Sequence, residues 1–296
     1  MNVYFSPAYV GAAYAFETTR KSMWVADSLS IAPIDGIKLC APQSLTAEQL
    51  CQAHAPEYVQ AIHTGIPIEL AQSQGFIWDA GLWPMVLASN GGMVAAALDA
   101  LHSGISGSLS SGLHHASRES GMGYCTFNGL AVAACEALSA GAKSVLILDL
   151  DAHCGGGTAA ILANEPRVFQ LDISVDDYDT YASSDRAQLH MVRDGSDYLG
   201  VIVDQLHRLA AGVKRFDLCL YNAGMDPFED CSDGALTGIS RDTLAKREQI
   251  VFEWCKRYSI PVAFSLAGGY VGDKLDQQGL TDLHRLTLAA AASSSA

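Results

Sequence analysis

The feature that most limits how this chain can fold is an alternation. Short runs rich in Val, Ile and Leu recur at VYF (3–5), SVLILDL (144–150), RVFQLDI (167–173), FDLCLYNAG (216–224) and IPVAFSLAGG (260–269), and SGSLSSG (106–112) can be read the same way. Between them lie stretches of helical period: TAEQLCQAHAPEYVQAIHTG (46–65), MVLASNGGMVAAALDALHSG (85–104), YLGVIVDQLHRLAAGVKRF (198–216) and RDTLAKREQIVFEWCKRYS (241–259). A further helix closes at Ala137, Leu138, Ala140 and Gly141, just before the run at 144–150. Near-continuous apolar strands alternating with helices call for a parallel sheet covered on both faces. The expectation is an α/β chain, a three-layer αβα arrangement around a mainly parallel central sheet. No linker, repeat or break in composition divides the 296 residues. One domain over 1–296 is expected, with the AAAASSSA tail near 290–296 disordered.

Composition narrows the partners. A formal charge of −14 argues against nucleic acid, whose binding is driven by Lys and Arg. It is compatible with cationic small molecules or basic peptides, and equally with an acidic surface that serves solubility alone. The eight cysteines include no CxxC pair, and several sit in apolar runs, as in AVAACEAL and DLCLY. That usage suits reduced thiols in a cytoplasmic protein. MNVYFSPAYVG lacks the pattern of a signal peptide, and no apolar segment of spanning length is free of charges or turn signals, so no membrane is expected.

In open α/β sheets ligands bind beyond the carboxyl ends of the strands. The residues at those ends are therefore the candidates for a site. The run at 144–150 leads into DLDAHCGGGT, with Asp149, Asp151 and His153 at every second position, on one side if the extended conformation persists. The run at 216–224 leads into NAGMD and Asp226, that at 260–266 into LAGGY and Tyr270, and that at 106–112 into LHHAS, with His114 and His115. An Asp and a His at this spacing, with a remote Asp, make a one-nitrogen, two-oxygen metal site. Three protein ligands with an open position characterise catalytic rather than structural zinc. On DLDAH alone, two helix-capping aspartates and a packed loop histidine remain an equal alternative; the other strand ends weigh against it.

SGLHHASRESGMGYCTFNGLAVAA, VLILDLDAHCGGGT, NAGMDPFEDCSDGALTG and LAGGY together resemble, in order and spacing, four signatures of the histone deacetylase family, which includes acetylpolyamine amidohydrolases. Upstream, APQSLTAEQLCQAHAPEYVQAIHTG and RKSMWVADSL resemble the family's early helices. The resemblance implies the arginase/deacetylase fold. It implies Asp151, His153 and Asp226 as ligands of Zn2+, with Fe2+ a competitor at such a site, and a monovalent cation such as K+ near Asp149. It implies His114 and His115 as acid/base pair, Asp149 orienting His114, and Tyr270 donating to the developing oxyanion. Gly123, Tyr124, Gly268 and Gly269 would border the substrate, and Arg20 would face an internal pocket for the released acid. The implied reaction is hydrolysis of an N-acyl amide, acetyl-lysine or acetylpolyamine-like, by metal-activated water. The alternative is a catalytically weakened relative that binds an acylated ligand.

Three departures stand out. The family's second histidine, glycine and then Asp or Asn after DxDxH read Cys154, Gly155 and Gly156 here, so His115 is expected to lack its orienting partner. The histidine after 167–173 is replaced in LDISVDD, where Asp172 and Asp176 stand nearby, and FND reads FNG, with Gly129. Cys154 is expected to be a buried bystander rather than a reactive thiol. A two-manganese ureohydrolase would need further bridging carboxylates that DAHCG and GMDPF do not supply.

Overall fold

The computed structural model describes residues 1–12, 17–212 and 215–295. Eight strands, β1 (Asn2–Tyr4), β2 (Lys38–Cys40), β3 (Ile105–Ser108), β4 (Val145–Asp149), β5 (Val168–Ser174), β6 (Ala187–Met191), β7 (Leu218–Ala223) and β8 (Val262–Leu266), form one sheet in the order β2-β1-β3-β8-β7-β4-β5-β6. Every pairing is parallel. The helices are α1 (Glu17–Ile31), α2 (Ala47–Leu50), α3 (Pro56–Thr64), α4 (Ile68–Ala71), α5 (Leu82–Ser103), α6 (Gly129–Ser139), α7 (Gly156–Leu162), α8 (Tyr198–Ala211), α9 (Arg241–Arg257) and α10 (Gln277–Ser295).

The period of two in a strand sorts its side chains between two cores. Leu146 and Leu148 of β4, Cys219 and Tyr221 of β7 and Phe264 of β8 join one cluster with Val25, Ile202, Val251 and Leu288, from α1, α8, α9 and α10. Val145 and Ile147, Leu218 and Leu220, and Ala263 face the other way, among Ile62, Met93 and Val132, from α3, α5 and α6. The sheet is therefore the middle of three layers, and its central strands read as unbroken apolar runs because both faces are covered. Helix α5 has 22 residues and is long and apolar enough to cross a membrane by length and composition, yet two thirds of its apolar window lies buried inside the protein.

The expected helix over 46–65 is broken in two. Pro56 cannot donate to a preceding turn and starts α3 at its first position, while Thr46 and Gln49 close a capping box on α2. The tail expected to be disordered is helical through Ser295 in α10, where alanine is the best helix former and Ala291 is buried; Ala296 lies outside the described residues. Strands β2 and β6 were not anticipated.

Across the sheet, Ser108, Ser265, Asn222, Asp149 and Asp172 stand side by side in register near the carboxyl ends of five strands. Ser265 donates to Asn222 (3.1 Å), and Asn222 donates through Nδ2 to Asp149 Oδ1 (2.9 Å). The apolar core ends on this polar row. Just beyond β4, the buried Arg247 of α9 donates to the Leu150 carbonyl (3.1 Å) and, through Nε, to Glu248 (2.8 Å), pinning the segment that carries Asp151.

Candidate metal centre and its histidine pair

Asp151 and His153 lie just beyond β4, and Asp226 just beyond β7, the neighbouring strand. All three are buried, and each offers a ligand atom within 4.8 Å of the others. Backbone donors fix both carboxylates: Gly268 N–H donates to Asp151 Oδ2 (2.6 Å) and Ala152 N–H to Asp226 Oδ1 (3.0 Å). Gly268 must be glycine, since a Cβ there would overlap the carboxylates of Asp226 and Asp151. Gly268 thus lets the backbone close on the ligands, and a Cβ at Gly269 (φ 148) would meet Leu280 and His284.

These residues fit a divalent ion. His153 Nδ1 lies 3.2 Å from both Asp151 Oδ1 and Asp226 Oδ2. Asp226 Oδ2 is a buried acceptor that takes no hydrogen bond. Burial opposes charge on His153, but the two carboxylates push it up to about 12, and burial beside Asp151 pushes Asp226 up to about 7. Two acids competing for one proton is the arrangement a cation relieves, releasing that proton on binding.

His114 and His115 stand on the segment after β3, with ring centroids 4.0 Å apart. Asn128 braces that segment: its side chain donates to the carbonyls of His114 and Ala116 (both 3.1 Å) while its oxygen caps α6 at Ala131 N–H (2.9 Å). His114 Nδ1–H donates to Asp149 Oδ2 (2.8 Å), and Nε2 lies 3.6 Å from Asp151 Oδ1. Burial opposes its protonation, yet Asp149 and then Asp151 outweigh this and push His114 up to about 10. Burial, then the charge of His114, pushes His115 down. The expectation that His115 lacks an orienting partner is overturned: its Nδ1–H donates to Asp179 Oδ2 (3.0 Å), from the loop after β5.

Arg20 does not face an internal pocket. It is exposed, and one residue further round α1 the fully buried Lys21 points inward, its ammonium donating to the Ala267 carbonyl. A helix turns about 100° per residue, so the face buried by Lys21, Val25 and Leu29 excludes Arg20. Burial pushes Lys21 down to about 8 against the pull of Asp226 and Asp151.

Tyr270 stands beside His153, ring centroids 6.3 Å apart. Gly123 (φ 53) presses on His115, where a Cβ would lie 2.7 Å from the ring, and the exposed Tyr124 meets Phe76 at a tilt, ring centroids 5.4 Å apart. Tyr178 was not anticipated: its ring meets His115 at 5.0 Å and His153 at 6.0 Å, edge to face. Cys154 is buried, and burial together with Asp172 pushes its thiol up to about 12, which suits a bystander. Burial and then Asp149 push Asp172 up to about 8; it accepts from Gly155 N–H (2.7 Å).

A family profile described as the histone deacetylase domain matches residues 15–283. An uncharacterized protein of Picosynechococcus sp. is 34% identical over 223 residues, covering 73% of each chain. Histone deacetylase 2 of Arabidopsis thaliana is 31% identical over 189 residues, 61% of this chain and 48% of the relative, so the chain spans about half of that relative's length. Among solved structures, the acetylpolyamine aminohydrolase from Burkholderia pseudomallei superposes with a TM-score of 0.79 at 17% identity, covering 98% of both chains, and the HDA15 HD domain with 0.80 at 19%, covering 98% and 90%.

Proposed function

The chain belongs to the histone deacetylase family and is a metal-dependent hydrolase of amide bonds; we propose that the metal is zinc and the substrate an N-acylated amine. The observation that carries this is the convergence of Asp151, His153 and Asp226 beside two histidines driven toward opposite protonation states. Asp151, His153 and Asp226 would hold the ion, which when bound supplies Lewis acidity to the amide carbonyl and lowers the pKa of a water.

The protein's own groups supply the proton traffic. His115, kept neutral by burial and with Nδ1–H engaged by Asp179, is left with Nε2 free to accept the water's proton. His114, its Nδ1–H engaged by Asp149, turns Nε2 toward the site as the second member of the acid/base pair. The proton gathered at Nε2 of His115 is then returned to the leaving nitrogen. The hydroxyl of Tyr270 donates to the oxygen that becomes negative. Tyr178 and Tyr124 supply aromatic walls for an apolar stem, and the buried cation next to the site, Lys21, serves the released carboxylate in place of Arg20.

The test is metal analysis paired with hydrolysis of a fluorogenic acyl-lysine amide and of an acetylated polyamine. Zinc at about one equivalent with turnover on either is expected. Asp226→Ala should lose both, and undiminished zinc in that variant would show that the ligands are wrong. Zinc bound without hydrolysis of any acyl length would favour a binding role instead.

A further inference from the structure

We propose that Asp179 is the positioning residue of His115, and that the loop carrying it joins substrate contact to the orientation of the base. The role rests on the amide-hydrolase reading above. Asp179 Oδ2 accepts from two donors, the His115 Nδ1–H (3.0 Å) and the backbone N–H of Gly157 (3.0 Å), in the first turn of α7. Helix α7 has no side-chain cap of its own, since its N-cap is Gly155, so Asp179 reaches across from another loop to fill that place. Its side chain is 14% exposed.

Gly156 belongs to the same device. A Cβ at 156 would lie 2.4 Å from both the Asp179 carbonyl oxygen and Asp179 Oδ1. No side chain, and so no local acid, can stand at 156 while the loop is seated as it is. The carboxylate that orients His115 has been moved from the helix start to a loop 64 residues away from the histidine in sequence.

The loop is held for that purpose. Tyr178 O accepts from Cys154 N–H (2.9 Å), and Tyr178 N–H donates to Asp176 Oδ1 (2.8 Å). Asp179 itself sits at φ 59, a left-handed conformation that Asp and Asn tolerate better than other side chains. Tyr178, the preceding residue, covers His115 and His153. A substrate that displaces Tyr178 therefore pulls on the carboxylate fixing the tautomer of His115.

The test uses the zinc-loaded full chain with Asp179→Gly, which suits the positive φ and deletes the carboxylate, and Asp179→Asn, whose carbonyl can take both hydrogen bonds. Turnover and KM are measured on the acyl-lysine amide, with imidazole NMR of His115 in 15N-labelled protein. Expected for Asp179→Gly is a kcat lower by about 10–100-fold, KM within about threefold of wild type, unchanged zinc, and loss of the His115 Nδ1–H resonance. Asp179→Asn should keep that resonance and recover most of kcat. An unchanged His115 signature or unchanged kcat in Asp179→Gly overturns the proposal, as does an equal loss of kcat in both variants. If wild-type protein hydrolyses no substrate, the functional reading fails, while the NMR comparison still decides whether Asp179 positions His115.

Discussion

His114 and His115 are adjacent in sequence, and their surroundings drive them in opposite directions. His114 faces two carboxylates and is pushed up to about 10, whereas His115 is pushed down by burial and by its neighbour's charge. Pairs of titratable groups pushed apart in this way mark acid/base sites. Tyr270 completes the set. Under the proposed mechanism Tyr270→Phe keeps its metal while kcat falls by about two to three orders of magnitude, the usual effect of losing an oxyanion donor; metal analysis beside steady-state kinetics checks it. A different histidine links structure to pH. His54 accepts from Asn128 N–H through Nε2 (2.9 Å) and donates from Nδ1 to the Ser117 carbonyl (2.8 Å), and burial pushes it down to about 4. Its unfolded form binds a proton below about pH 6.5 while the folded form resists until about 4. The stability it contributes is therefore fully present above 6.5 and lost as pH falls toward 4, by up to about 3 kcal/mol. Denaturant melts of metal-free protein should show a shallower loss over that window for His54→Gln, and an unchanged slope would remove His54 from the account.

At the level of elements, sequence reveals whatever leaves a local trace. Strands β4, β5, β7 and β8 are continuous apolar runs, and Asp151, His153, Asp226 and Tyr270 are legible because each sits just past the carboxyl end of such a run. Strands β2 and β6 sit at the two edges of the sheet, exposed or half-buried, and KLC and AQLHM carry no run to betray them. Asp179, Lys21 and Asn128 escaped for another reason: each acts through contacts that exist only once distant segments meet. LDISVDDYDTY shows an acidic cluster, but nothing local says which acid reaches His115. The strands also impose a steric demand that can be measured. Gly107 of β3 faces the ring of Phe264 on β8, and a Cβ there would overlap that ring. Gly107→Ala should lower stability by about 1–3 kcal/mol, the usual cost of overpacking, seen as a lower urea midpoint at constant slope; an unchanged midpoint would show that the two strands separate freely.

For the whole molecule, the notable quantity is net charge. A charge of −14 produces a field that attracts cations over about one Debye length. Some of it lies near the centre: Asp233 Oδ1 is 3.8 Å from His153 Nε2 and largely exposed, and the exposed Asp177 is in the loop of Tyr178, partly offset by Arg193 at 3.2 Å. If the substrate is cationic, kcat/KM should fall several-fold as salt rises from 20 mM to 500 mM, roughly the range over which screening becomes complete, while a neutral acyl amide of the same length responds little. Equal salt dependence for both would show that the field does not steer substrate.

The glycine at 156 and the acid at 179 occupy one another's space, which has a practical bearing on redesign. Neither position can be exchanged alone: an acid introduced at 156 collides with the seated loop, and a loop transplanted without its aspartate leaves an imidazole untethered. Chimaeras of this enzyme will need to carry the two segments as a single cassette.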